Sequence, residues 1–143
     1  MGIYLNPRPD KFKRSLNSEI YVDKTGLIAA TNAVINSEQN NICISRPRRF
    51  GKTMSAQMLA AYYGKCGDTS ALFDDLAIAS HESYRTHLNQ YNVISINMQQ
   101  FLSNSKNVDE MLALLKMVLM ADLKNSFLEN SFNENLPPPA ARW

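Results

Sequence analysis

Residues 42–53 constrain this chain more than any other stretch. They read Ile42-Cys43-Ile44-Ser45-Arg46-Pro47-Arg48-Arg49-Phe50-Gly51-Lys52-Thr53. A short β-branched run enters a basic turn, and Gly-Lys-Thr opens a helix-compatible stretch that reaches Tyr63. Strand, tight loop, Gly-Lys-Thr and helix are the layout of a phosphate-binding loop. In such a loop successive backbone N–H groups converge on one point, and the following helix adds the partial positive charge of its N-terminus. Lys52 is placed to reach outer phosphates, and the Thr53 hydroxyl to take one coordination position on Mg²⁺. Gly51 lets the backbone approach where a Cβ would collide.

The full pattern, G-x-x-x-x-G-K-[ST], puts its first glycine where this chain has Arg46. If that position needs a positive φ, an arginine there costs about 1 kcal/mol or somewhat more. The bland alternative is a basic strand-to-helix turn with solvated arginines. Phe50 has two fates in this reading: packed under the loop, or exposed and able to stack on a base.

Composition sets wider bounds. The chain has 143 residues, enough for one domain with one modest core. A net charge of only +2 carries no global polyanion-binding signature. The cations are nevertheless clustered, at Arg8, Lys11, Lys13 and Arg14, and again at Arg46, Arg48, Arg49 and Lys52. The first cluster reads as a solvated edge. No apolar run approaches the roughly 18 residues of a membrane span, and residues 1–13 lack the apolar core of a signal peptide, so a cytoplasmic protein is expected. Cys43 and Cys66 lack Cys-x-x-Cys spacing and read as ordinary residues. His81 and His87 are poorly spaced for a shared metal and read as surface histidines.

Along the chain, residues 1–19 read as an irregular arm. Asp23 or Thr25 caps a helix to about Ile35, with Leu27, Ile28, Thr31, Val34 and Ile35 on one face. Residues 42–45 and 93–97 are the two candidate core strands. The helix from Lys52 to Tyr63 ends near Gly64, and Ser83 to Asn89 forms a short helix. A long amphipathic helix spans about 107–127, with Asp109 and Glu110 in its first turn. Met54, Met58, Met111, Met117 and Met120 read as core. Helices alternating with apolar strands predict an α/β fold, P-loop NTPase-like, with helices flanking a small parallel sheet. Two strands fall short of the usual 4–6, so the domain, placed at 20–128, is expected to be incomplete. Residues 129–143, with their Pro137-Pro138-Pro139 run, read as an irregular tail.

Several boxes come in a familiar order: Tyr4-Leu5-Asn6-Pro7, Phe12, Ile20-Tyr21-Val22-Asp23-Lys24-Thr25, the 46–53 loop, Met58-Leu59-Ala60-Ala61-Tyr62-Tyr63, Leu72-Phe73, and 88–94 followed by Phe101. Together they resemble the predicted AAA-ATPase-like family of bacteria, P-loop NTPases often followed by a region resembling a PD-(D/E)XK nuclease. The resemblance runs from about residue 3 to 128. It implies that Arg in place of the first glycine is usual and that ATP and Mg²⁺ are the ligands. The implied nucleotide-binding set is Arg46, Pro47, Arg48, Arg49, Phe50, Gly51, Lys52, Thr53 and Met54, with Thr53 on the metal. Asp23-Lys24-Thr25 has two readings, part of the nucleotide pocket or a plain helix cap.

Hydrolysis also needs a Walker-B acid ending a neighbouring strand. The run 93–96 ends in Asn97-Met98-Gln99-Gln100, Asp74 and Asp75 follow too short an apolar run, and Asp122 lies inside the long helix. In the resembling family the acidic strand follows that helix, so this chain reads as the N-terminal part of a longer ATPase that binds ATP without effective turnover. No catalytic residue is assigned. Two rival classes stand beside this one. The loop's arginines and Phe50 also suit single-stranded nucleic acid, and a non-catalytic assembly module with a protein client would use neither ligand.

Overall fold

Residues 52–63 contain Ala, Met, Leu, Gln and Lys, all good helix formers, and no proline or interior glycine. They form a 12-residue helix, Lys52–Tyr63, around which the first part of the molecule is arranged. The computed structural model describes residues 2–133, with side chains to 126. In chain order its helices are α1 (Asp10–Leu16), α2 (Gly26–Asn32), α3 (Lys52–Tyr63), α4 (Tyr84–His87), α5 (Met98–Ser103) and α6 (Val108–Asn133). Two 3₁₀ turns, Ser70–Leu72 and Ala77–Ser80, lie between α3 and α4. The chain divides into two compact units, one covering 3–95 and the other beginning at Ile96.

The core of the first unit is aromatic. Tyr62 on α3 is fully buried, with Tyr84 stacked at 6.2 Å and Phe73 edge-on at 5.5 Å. Phe12 of α1 stacks on Phe73 at 5.2 Å, while Ile28, Met58 and Ile78 fill the remaining space. Buried tyrosines need partners for their hydroxyls, and α2 supplies them. Thr31 lies 2.6 Å from the Tyr63 hydroxyl, which donates to Asn32 Oδ1, and the Asn32 amide donates to the Tyr62 hydroxyl and to Ser83. Tyr62 donates in turn to the Tyr84 carbonyl at 2.7 Å. Burial pushes the Tyr63 phenol up to about 12.

The expected end of α3 at Gly64 is observed, but the cap is made by another residue. Gly64 is extended rather than left-handed, and a Cβ there would sit 2.6 Å from the Ala60 carbonyl oxygen. Asn89, in the left-handed region with φ 56°, reaches back instead. Its amide donates to the Gly64 carbonyl at 2.8 Å and to Thr69, and the Thr69 hydroxyl donates to the Ala61 carbonyl. The orphan carbonyls of a helix C-terminus are thus satisfied from a distant loop.

The expected α/β fold with a small parallel sheet is not observed. Among the described residues no β-strand forms; there are two isolated bridges, antiparallel Leu5↔Ile94 and parallel Gly64↔Tyr91. Residues 42–45 belong to no helix or strand and are exposed, and 93–95 are bonded to 4–6, through Asn6 N–H to the Val93 carbonyl and Ser95 N–H to the Tyr4 carbonyl. The reason is physical. β-branching describes a side chain suited to a pleated, half-buried surface, but a strand exists only when a neighbour accepts its backbone groups. Asn6, at φ 47°, leaves the extended region directly after the bridge at Leu5.

Other expectations shift in detail. The stretch read as an irregular arm carries α1, whose Phe12 is buried while Arg8, Lys11, Lys13 and Arg14 are exposed. Helix α2 stops at Asn32 and continues as turns. His87 is buried, its ring 2.6 Å from the Tyr91 hydroxyl. In the second unit Asn97 caps α5 by accepting from Gln99 N–H. Asn107 accepts from Glu110 N–H at 2.8 Å, and Glu110 reaches back to Lys106 N–H, a reciprocal cap opening α6. Phe101 and Met111 are buried there, whereas Met117 (63% exposed) and Met120 (48%) are not the core residues their spacing suggested. Helix α6 extends through Asn133, into the stretch read as a tail; 134–143 lie outside the described residues.

Candidate functional site

Gly51 makes the junction between loop and helix. It is the N-cap of α3 with φ 77° and ψ 22°, a left-handed residue directly before the right-handed Lys52. A left-handed residue followed by a helical one turns successive N–H groups toward the same side, forming an anion-binding nest. Glycine has no side chain to cap the first turn of α3, so its N–H groups lack the oxygen a serine or aspartate would supply. The glycine requirement therefore comes first from φ, and second from space already taken: a Cβ on Gly51 would lie 2.6 Å from Lys24 Nζ.

The first-glycine question is settled by the backbone. Arg46 does not have a positive φ; the strained residue is Arg49, at φ 68°. The cost weighed for Arg46 therefore does not arise, and the left-handed Arg49, three positions on, carries a strain of about 1 kcal/mol.

Lys52 folds back over the loop, its ammonium donating to the Arg46 carbonyl and, at 3.3 Å, to the Pro47 carbonyl. These neutral acceptors leave the charge uncompensated. Arg46, Arg48 and Arg49 are exposed, and none is ion-paired among the described residues. Phe50 is 61% exposed, so its ring lies outside the core. Thr53 is exposed on the first turn, and Met54 is half-buried against the glycine. The loop residues 46–54 are contiguous in the chain, with Lys52 bonded back to the loop's own carbonyls, and 46–50, 52 and 53 are exposed. A cavity of about 260 Å³ beside Lys52 is lined mainly by Ile42, Ile44, Ala56 and Leu59, and a larger one, about 470 Å³, lies past the other end of α3.

The segment before α2 supplies contacts that sequence reasoning had left between two readings. Asp23 Oδ1 accepts from Thr25 N–H (2.8 Å) and its hydroxyl (2.7 Å), and Oδ2 accepts from Ala77 N–H at 2.8 Å. Partial burial pushes the Asp23 carboxyl up, but these three donors outweigh it and hold the group below its ordinary value. The fully buried Thr25 accepts from Ile78 N–H. Lys24, between them, donates to the Phe50 carbonyl at 2.9 Å. No side-chain cap of α2 is made; its N-cap is Thr25. The signal for this contact was the lysine itself, flanked by two residues fit for fixing a turn.

Acids suited to holding a metal are not gathered at the loop. Asp74 accepts from the Tyr84 hydroxyl and from Arg85 at 2.9 Å, and Asp122 belongs to α6. Among the described residues no group of three or more His, Cys, Asp or Glu is placed to hold a metal ion.

The chain belongs to the predicted AAA-ATPase family, the AAA-ATPase-like family, whose model matches residues 8–137. No curated protein and no solved structure matches it. No helix among the described residues is long and apolar enough to cross a membrane.

Proposed function

We propose that this protein binds a nucleoside triphosphate, ATP with Mg²⁺, at the loop 46–54. The observation that carries the reading is the left-handed Gly51 opening the uncapped N-terminus of α3, with Lys52 folded over the loop on neutral carbonyls. Family membership supports nucleotide use in general. The residues present fit a phosphate chain. Backbone N–H groups of the first turn would receive one phosphate, Lys52 would exchange the Arg46 and Pro47 carbonyls for outer phosphate oxygens, and the three arginines would offset the remaining charge. The exposed Thr53 hydroxyl would be the protein's ligand to Mg²⁺, and the metal would supply charge neutralisation to the phosphates. No slot in the loop reads a base, so the choice of adenine rests on the family. Binding without effective hydrolysis is the activity proposed, because Asp74 is engaged by Tyr84 and Arg85 and, among the described residues, no group of three or more His, Cys, Asp or Glu is placed to hold a metal.

The test is titration of a fluorescent ATP analogue with and without Mg²⁺, on the parent and on Lys52→Ala. Mg²⁺-enhanced binding, weakened roughly tenfold or more by the substitution, is expected. One competing reading has an observation of its own: the exposed ring of Phe50 beside Arg48 and Arg49 would suit single-stranded nucleic acid. Tight oligonucleotide binding that needs no Mg²⁺ and falls steeply with salt would replace the nucleotide proposal with that one.

A further inference from the structure

We infer that Lys24 is a second phosphate-binding cation of the loop, so that the site is built for a polyphosphate. This deepens the nucleotide reading and rests on it. The residues on either side of Lys24 are bolted down: Asp23 holds Ala77 N–H and both donors of Thr25, while Thr25 is fully buried and holds Ile78 N–H. Both anchor to the same 3₁₀ turn, Ala77–Ser80. The chain between the two bolts therefore has little freedom, and it sends the half-buried Lys24 side chain across to the loop.

The ammonium arrives where the nest begins. It donates to the Phe50 carbonyl and lies against Gly51, the residue that opens α3. A lysine ammonium has three donors, and a single neutral carbonyl neither uses all of them nor answers the charge. The other cations of the loop (Arg46, Arg48, Arg49 and Lys52) share its sign. The acid next to it in the chain, Asp23, has its oxygens committed to Thr25 and Ala77. Like charges gathered without a partner repel one another, and an anion carrying several charges in a row turns that repulsion into attraction. One phosphate would satisfy the nest and Lys52; a second ammonium gives the following phosphates their own partner.

A purely mechanical role, Lys24 as a strut under the Phe50 carbonyl, predicts different behaviour. Dissociation constants for inorganic triphosphate, by displacement of a fluorescent ATP analogue, would be measured on the full chain and on Lys24→Met, Lys24→Arg and Lys52→Ala at several salt concentrations. The melting temperature is recorded alongside. Lys24→Met should weaken triphosphate binding roughly tenfold, flatten the salt dependence, and shift the melting temperature by less than about 4 °C. Lys24→Arg should recover most of the affinity, since it restores the charge. Loss of affinity on Lys52→Ala but not on Lys24→Met overturns the inference and leaves the nucleotide reading standing. Weakened binding with an unchanged salt dependence and no recovery by arginine overturns it in favour of the strut. Triphosphate binding that Lys52→Ala leaves intact, or no binding at all, removes the nucleotide reading and this inference with it.

Discussion

The two ends of α3 obey opposite rules. At its C-terminal end the helix is buried, and its hydrogen-bonding groups are answered: Tyr62 and Tyr63 by Thr31, Asn32 and Tyr84, the last carbonyls by Asn89 and Thr69. At its N-terminal end the first-turn donors have no side-chain cap, the loop's cations have no acid partner among the described residues, and a phenylalanine points outward. Unanswered first-turn donors beside clustered cations are what the proposed phosphate site would draw on. Packing is concentrated at the aromatic end, and the recognition we propose at the basic end.

The sharpest way to break this comparison is to cut into the aromatic end. Tyr62→Ala removes a fully buried ring against which Tyr84 and Phe73 pack, and it takes one acceptor from the Asn32 amide and one donor from the Tyr84 carbonyl. A loss of about 3–5 kcal/mol is expected in urea unfolding. Lys52→Ala, measured in parallel, should change stability by less than about 0.5 kcal/mol, as exposed substitutions do. Equal costs at the two ends would end the division of labour.

Gly51→Val tests the junction. It forces a β-branched side chain into the left-handed region and drives its Cβ onto Lys24 Nζ. About 2–3 kcal/mol of stability should be lost, and triphosphate binding with it. Gly51→Ala, similarly strained but smaller, should fall between valine and the parent in both measurements. A valine variant that binds normally would show that the glycine serves neither φ nor access.

Asn89→Ala probes the buried end more gently. It removes the amide that caps α3 through Gly64 and Thr69, and it leaves an alanine in a left-handed conformation. A loss of about 1–2 kcal/mol is expected, with hydrogen exchange accelerated in the last turn of α3 rather than at the loop. Faster exchange at the loop instead would mean that the two ends are coupled.

These two ends were unequally legible in the sequence. The limits of α3 could be read because most of its residues are good helix formers and it lies between two glycines, and the loop because Gly-Lys-Thr follows an apolar run. The caps were not legible: Asn89 is distant in sequence from the helix it closes, and nothing local says where its amide points. The role of Lys24 stayed between two readings for the same reason, because its contact is a long-range bond made by a surface-type residue. The sheet was misread because residues 42–45 and 93–97 have the composition of strands, while pairing is a property of two segments. Isolated methionines on α6 misled as well, since helical spacing defines a face without showing what covers it.

The smallest predicted effect is also the one with opposite signs in two measurements. Arg49 sits at φ 68°, where a side chain is strained by about 1 kcal/mol and glycine is not. Arg49→Gly relieves that strain but enlarges the conformational freedom of the unfolded chain, which takes back about half of the gain. A net stabilisation of about 0.5 kcal/mol is expected, read as a small rise in the urea midpoint with an unchanged slope. The same change deletes a guanidinium from the basic loop and should weaken triphosphate binding by roughly threefold. A gain in folding paired with a loss in binding would show strain kept for recognition, as the proposed phosphate site at this end of α3 requires. If Arg49→Gly destabilised the protein, the backbone would not be left-handed at this position in solution, and the geometry assigned to the loop would have to be redrawn.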